Sequence, residues 1–506
     1  MNERFSFAIG MRLVVRLLGF VSLFFVARYM GAEVLGTLAF ATAYIQLFQQ
    51  FSDLGFGTAH VKRVSEGKDL GICNGTYFSV KAILTVLMVI IVVLSLIIPK
   101  YVTGAGNFST EQEIIIYIFL FAVILENISA MFNTTFSARK EIAKLSIGEL
   151  VNKVVTVAFK LIVIFSGLGI FWLAGASVLG ALVWTILLLY FFRGYPIKKP
   201  NKEYFKSYFK YAIPVIFIGF LSKYAENIDK VMIGYFSNSS DVGFYTAGQS
   251  FARIFILFMV SSNSLVFPTI SKLHSENNFS DIRKLSNKVE KYFSLLMLPI
   301  IIIITVFSEA ITFHIFGTEF LDITPSIISI SMWAIFITAT MNPYSAQLGA
   351  TNRIRLAAKV SVFYLSISIL LNVLFIPDQI FNIKTLGLGA VGASWATLIA
   401  AIIASVTYRY HAFRISGSKP SSSILKHLLA GVFMFLLLQF LRDQFTNNME
   451  FLFPILFSVL GVLIYFAFLY FIKEFTIVEI GYLRSFINLN RISSYAKDEI
   501  KGKKQK

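Results

Sequence analysis

The sequence predicts an all-α polytopic membrane protein with about fourteen transmembrane helices. Composition is the first reason: 57% of the residues are apolar and 14% charged, with a mean hydropathy of +0.74, more than a soluble core of this length needs. The second is periodicity. A hydrocarbon layer of about 30 Å takes roughly 20 helical residues, and apolar runs of that length recur along the chain. They are continuous, as in "KAILTVLMVIIVVLSLIIP", whereas outer-membrane strands alternate apolar and polar residues over about ten positions.

In order, the predicted spans cover residues 9–30, 35–54, 77–99, 114–136, 145–168, 171–192, 209–233, 243–267, 290–312, 325–347, 355–376, 386–408, 425–441 and 451–472. The fifth and sixth are separated only by "SGLG", and the eighth is polar at "SSNS". The first is too long and too charged for a cleaved signal peptide, so it is expected to stay. These spans group into an N-terminal lobe of six helices (1–193), a cytoplasmic linker (194–208), a second six-helix lobe (209–414), a helix pair (415–473), and an interfacial helix with a basic cytoplasmic tail (474–506).

With the N-terminus inside, the connections that fall on the cytoplasmic side are crowded with Lys and Arg, as in "RGYPIKKPNKEYFKSYFK" and "SKLHSENNFSDIRKLSNKVEK". The opposite side carries only Arg28, Lys100, Lys384 and Arg442. This asymmetry predicts a multi-pass protein of the inner (cytoplasmic) membrane with both termini in the cytoplasm. The net charge of +18 is therefore assigned to topology and to contact with anionic membrane lipids, and no nucleic-acid partner is expected.

The chain also repeats itself. "GAEVLGTLAFATAYIQLF" at 31–48 matches "SSDVGFYTAGQSFARIF" at 239–255, pairing Gly36 with Gly243. "SARKEIAKL" matches "GATNRIRLA", pairing Ala138 with Ala350, and "AGASVLGAL" matches "VGASWATLI", pairing Gly175, Ala176 and Ser177 with Gly392, Ala393 and Ser394. Six helices separate the copies. An even number preserves orientation, so the two lobes are expected to be parallel repeats related by a pseudo-two-fold along the membrane normal, with a cavity between them.

From "ARYMGAEVLGTLAFATAYIQLFQQFSDLGFGTAHVKRVSEGK" onward the sequence resembles the polysaccharide-biosynthesis flippases of the multidrug/oligosaccharidyl-lipid/polysaccharide exporter superfamily. Arg28, Gly31, Gly36 and "DLGFGTA" from Asp53 carry the likeness, which continues through "NIDKVMIGYFSNSSDVGFYTAGQSF", the Pro268, Ser271 and Leu273 positions, and "GLGAVGASWATLIA". The resemblance implies two six-helix lobes, a C-terminal helix pair and alternating access. It also implies transfer of a polyprenyl-linked oligosaccharide from the cytoplasmic to the outer leaflet, with glycosyltransferases or a polymerase of the same pathway as possible partners.

Charges within the spans are the candidate site, since each costs roughly 2.5–3.5 kcal/mol at the bilayer centre. Arg28, at the outer end of its helix, is read as structural. Arg12 and Arg16 share one face of the first span; snorkelling explains them as well as guidance of a phosphate at the cytoplasmic mouth does. Glu149, Lys153 and Lys160 fall on one face of the fifth span and Lys223, Glu226 and Lys230 on one face of the seventh, with Glu126 in the fourth and Arg253 in the eighth. Arg12, Arg16, Lys153, Lys160, Lys223 and Arg253 are the candidate phosphate-binding set. Glu126, Glu149 and Glu226 are candidates for ion coupling or for internal ion pairs. Asp53 and Asp229 are expected at interfaces, and Pro214, Pro299 and Pro343 are potential bend points.

No "GxxxxGK[ST]" loop is present, and five His with one Cys offer no metal-ligand set, so neither a cofactor nor a metal nor enzymatic activity is expected. Two other classes compete. A membrane glycosyltransferase or polymerase needs acidic pairs on sizeable outer loops, which are short and acid-poor here. A drug or cation antiporter of the same fold needs a net negative pocket, whereas these stripes are net basic.

Overall fold

The computed structural model describes residues 2–103, 108–380, 382–445 and 452–474. The expected interfacial helix and basic tail beyond Glu474 lie outside the described residues. Helices dominate: α1 (Asn2–Gln49), α2 (Phe56–Ser65), α3 (Leu70–Ile98), α4 (Thr110–Ala138), α5 (Ile142–Phe165), α6 (Ile170–Phe192), α7 (Lys202–Phe236) and α8 (Ser239–Arg253). There follow α9 (Ile256–Ser275), α10 (Phe279–Val306), α11 (Ser308–Ile315), α12 (Thr324–Ala350), α13 (Ile354–Phe375), α14 (Gly389–Ser416), α15 (Ser423–Phe445) and α16 (Leu452–Phe471). A two-stranded hairpin, β1 (Gln379–Ile380) with β2 (Ile383–Lys384), precedes α14.

Among the described residues ten helical stretches are long and apolar enough to cross a membrane, and the chain is a multi-pass membrane protein. The first, Leu13–Ser52, contains two predicted spans, because α1 consists of two helical segments that meet at a kink at Gly31. Gly31 has φ 84° and ψ 177°, a conformation that breaks the helical path and that L-residues with a Cβ rarely adopt. α5 holds Lys144, Glu149, Lys153 and Lys160, too many charges to qualify on composition. The single span expected at 243–267 is divided into α8 and α9, where Ile254 and Phe255 bond back to Phe251 and Ala252 and tighten one turn.

Helix ends follow local chemistry. Ser109 and Gln112 form a capping box at the start of α4, and Asp69, Asn201 and Asn278 cap α3, α7 and α10 by accepting from backbone N–H groups. These caps start α3 and α10 seven and eleven residues before the predicted spans, a shift that places side chains deeper than the sequence suggested.

Two compact units divide the chain. The first comprises Glu3–Thr246 with Ile376–Gly389, and the second Ala247–Phe375 with the residues from Ala390 on. The repeat recurs within them, bond for bond. α4 ends with Lys140 at φ 58° and the Glu141 N–H donating to the Phe136 carbonyl at 2.9 Å; α12 ends with Asn352 at φ 60° and the Arg353 N–H donating to the Leu348 carbonyl at 3.0 Å. Both ends are left-handed caps of the Schellman type, 212 residues apart. In the first unit Thr135 donates to Asn74 at 3.1 Å; in the second Gln347 donates to Ser286 at 2.7 Å, again 212 residues later at both partners.

Gly36 and Gly243, paired as repeat equivalents in the sequence, meet in space inside the first unit. A Cβ on Gly36 would lie 1.7 Å from the Ser239 carbonyl oxygen, and one on Gly243 would lie 2.0 Å from the Ala32 carbonyl oxygen. The contact is reciprocal, since Ala32 and Ser239 are separated by the same 207 residues as the two glycines.

Candidate functional site

α5 presents the clearest charged face. Lys153 and Lys160 stand two turns apart on it, about 10 Å along the axis. Lys153 points at α1, where Gly19 leaves it room: a Cβ on Gly19 would lie 3.3 Å from Lys153 Cε and 3.4 Å from Nζ. Neither lysine makes a hydrogen bond or ion pair with a described residue, and each charge repels the other. Within an apolar span, two cations without a carboxylate partner suit an anionic ligand.

The other candidates are dispersed. Arg16 is exposed on α1, and Glu126 is half-buried in α4 with no hydrogen bond or ion pair to a described residue. Glu149 and Glu226 of the first unit and Arg253 of the second each have an interaction partner. The side chains of Arg12 and Lys223 lie outside the described residues.

Sequence reasoning missed a buried polar knot in the first unit. Lys81 of α3 is buried, with its Nζ 3.7 Å from Asp53 Oδ1 and donating to Ser52 Oγ at 3.3 Å. Ser52 in turn donates to Asn127 of α4 at 2.9 Å, while Asp53 accepts from the Gly57 N–H at 3.2 Å and from the Tyr77 hydroxyl at 3.4 Å. Lys81 falls only four residues past the predicted start of its span at residue 77, whereas the Asp69 cap puts it three turns into the helix. Beside the knot, His60 is fully buried between Tyr208 (2.9 Å) and Thr135 (3.0 Å) and stacks on Tyr77. Thr135 in turn donates to Asn74, and the Tyr208 hydroxyl donates to the Cys73 carbonyl at 3.5 Å. Burial pushes the His60 imidazole down to about 3.

The second unit has a similar surprise. Glu290 is fully buried on α10 and paired with Arg409 of α14, and it accepts from the Tyr344 hydroxyl at 2.6 Å and the Ser421 N–H at 2.7 Å. Arg409 also lies over the Tyr344 ring at 4.7 Å. Next to it, Glu474 receives Lys291 at 3.1 Å and Lys426 at 2.6 Å. Burial alone would raise the Glu474 carboxyl, but the bonds from Lys426, Ser423 and Lys291 outweigh it and hold the group down at about 2. Asp229, expected at an interface, is buried and accepts from Tyr245 at 2.7 Å.

The fold and these charged faces can be set beside known proteins. The family model described as "Polysaccharide biosynthesis protein" matches residues 3–274. The chain belongs to that family. A second model, MatE, matches residues 214–374. Within the curated proteins, the "Probable low-salt glycan biosynthesis flippase Agl15" of Haloferax volcanii is 24% identical over 400 residues, which is 78% of this chain and 79% of that protein. Among solved structures, "Lipid II flippase MurJ, inward closed conformation" superposes with a TM-score of 0.74 at 16% identity, covering 93% of this chain and all of that one. An inward-facing "multidrug resistance MATE family transporter of the MOP superfamily" superposes at 0.64 with 15% identity, covering 81% of this chain and 99% of that one. At such identities these two likenesses establish the fold. They place this member of the family among polytopic helical proteins of the two-lobe type and leave its chemistry to its own side chains.

Proposed function

We propose that the protein is a transporter, not an enzyme: a flippase that moves a polyprenyl-phosphate- or pyrophosphate-linked oligosaccharide from the cytoplasmic to the outer leaflet of the cytoplasmic membrane. The observation that carries this reading is the pair Lys153 and Lys160, two cations on one face of an apolar helix with no carboxylate partner among the described residues. A phosphate supplies the missing counter-charge. A cationic drug, the substrate of an antiporter of the same fold, does not, and would be repelled by this face.

Family membership and the likeness to a glycan biosynthesis flippase support the substrate class. The Lys- and Arg-rich connections support a cytoplasmic location for both termini. In this reading six helices, six helices and a C-terminal pair are the working parts, and glycosyltransferases or a polymerase supply and consume the substrate.

Flipping of a fluorescent polyprenyl-pyrophosphate oligosaccharide in proteoliposomes tests the proposal. Wild type should transport it, and Lys153→Ala and Lys160→Ala should each lose at least tenfold while inserting normally. Movement of organic cations without lipid-linked sugar would overturn the function. Full activity of both variants would overturn the site.

A further inference from the structure

We propose that the first ten residues of α7, together with α2 and the connection 193–199, form a docking surface for the headgroups of anionic phospholipids. α7 has 35 residues, about 52 Å of helix, which exceeds the hydrocarbon thickness by some 20 Å. Its first turns are built differently from the rest. Tyr208 and Ala212 are fully buried against Phe56, Ala59, Tyr77 and Val80, and Arg63 donates to the Ser207 carbonyl at 3.1 Å, so this segment is fixed to α2 and α3.

The opposite side carries Lys202, Lys206 and Lys210 at intervals of four, all exposed, and beside them Phe205 and Phe209 at 44% and 46% exposure. The two phenyl rings lie 5.8 Å apart, and Phe209 also meets Phe56 at 5.6 Å. Lys62 and Lys68 of the adjoining segment sit over Tyr211 and Tyr204 at 4.3 and 5.4 Å. Exposed Ile197 and Lys199 extend the same combination along the connection.

Two features separate this face from an ordinary solvated charge run. First, although Lys62 and Lys198 at the edge of the face pair with Glu66 and Asp69, Lys199, Lys202, Lys206 and Lys210 have no ion-pair partner among the described residues, whereas in the second unit Lys272, Lys284, Lys291 and Lys426 face carboxylates. Second, lysines are interleaved with exposed aromatic rings. An acidic protein or free phosphate would neutralise the lysines and leave Phe205 and Phe209 in water. A leaflet does both, taking the rings at headgroup depth and presenting phosphates to the ammonium groups. The inference does not depend on what the chain transports.

The test uses the full chain in liposomes with spin-labelled phosphatidylglycerol and phosphatidylcholine, reading the relative association constant from the motionally restricted fraction. Wild type should prefer phosphatidylglycerol. Lys202→Gln/Lys206→Gln/Lys210→Gln should lose that preference by about fivefold for each lysine that holds a headgroup. The matching triple arginine variant should keep it, and Phe205→Ser/Phe209→Ser should lose part of it even where the glutamine triple inserts poorly. Unchanged preference in the glutamine triple, or an equal loss in a Lys272→Gln/Lys284→Gln control, overturns the proposal. So does saturable binding of poly-glutamate to wild type with no lipid preference, which would assign the face to an acidic protein.

Discussion

Gly36 and Gly243 hold α1 and α8 in backbone contact, each glycine lying against the other helix where a side chain would collide with a carbonyl oxygen at 2.0 Å or less. No rotamer relieves such an overlap, so the helices must move apart. Gly36→Val should therefore lower stability by about 1–3 kcal/mol, read as earlier thermal unfolding in detergent. Gly175→Ala is the contrast. Gly175 has no atom within 4 Å of its Cβ site, so alanine there should be neutral or stabilise α6 by up to about 1 kcal/mol.

The Asp53–Lys81 pair should respond asymmetrically. Lys81 is buried, with 4% side-chain exposure, while Asp53 is 37% exposed. Asp53→Asn strands a buried ammonium and should cost about 3–5 kcal/mol, whereas Lys81→Met leaves a carboxylate that water and the Gly57 N–H still reach. Chemical denaturation of the two single variants and the double variant checks this. A double variant less stable than Asp53→Asn alone would contradict the pairing.

His60 should make the first unit sensitive to acid. Its folded pKa is about 3, below the ordinary 6.5, so the unfolded chain binds the proton first as pH drops. Stability should fall between pH 6.5 and 3, because among its neighbours Tyr77, Tyr208, Thr135 and the Cys73 backbone only the last favours the charged ring, and burial outweighs it. His60→Gln should flatten the melting-temperature profile in that interval.

Glu474 titrates in a different window. Its folded value of about 2 lies below the ordinary 4.5, so its contribution is complete above pH 4.5 and disappears as pH falls through 2. Glu474→Gln should cost about 1–3 kcal/mol at pH 7, by loss of charged hydrogen bonds from Lys291 and Lys426, and much less at pH 2, where half of the carboxyl is protonated. Parallel melts at the two pH values decide it.

The fold was readable because burial in lipid leaves its signature in run length, and the repeat because its turn and crossing positions retain small residues such as Gly36 and Gly243. The α5 face was legible too, since Lys153 and Lys160 stand seven apart in an otherwise apolar run. Lys81, Glu290 and Arg409 were not. Each sits at the margin of a hydropathy window, where a charge is unremarkable until the caps at Asp69 and Asn278 and the extension of α14 to Ser416 show how far the helix continues. Spacing along one helix also says nothing of partners on another, so the Ser52–Asn127 and Glu290–Arg409 bonds had no one-dimensional trace.

The twin caps at Lys140 and Asn352 bear on how the chain is made. Each reversal is closed by bonds spanning no more than five residues, Glu141 to Phe136 and Arg353 to Leu348, and needs nothing from elsewhere in the chain. The α4–α5 hairpin can therefore set its direction while the ribosome is still about two hundred residues short of the second copy. The two reversals can thus form as local, independently timed events, so that a lesion in the later turn should leave the earlier hairpin in place.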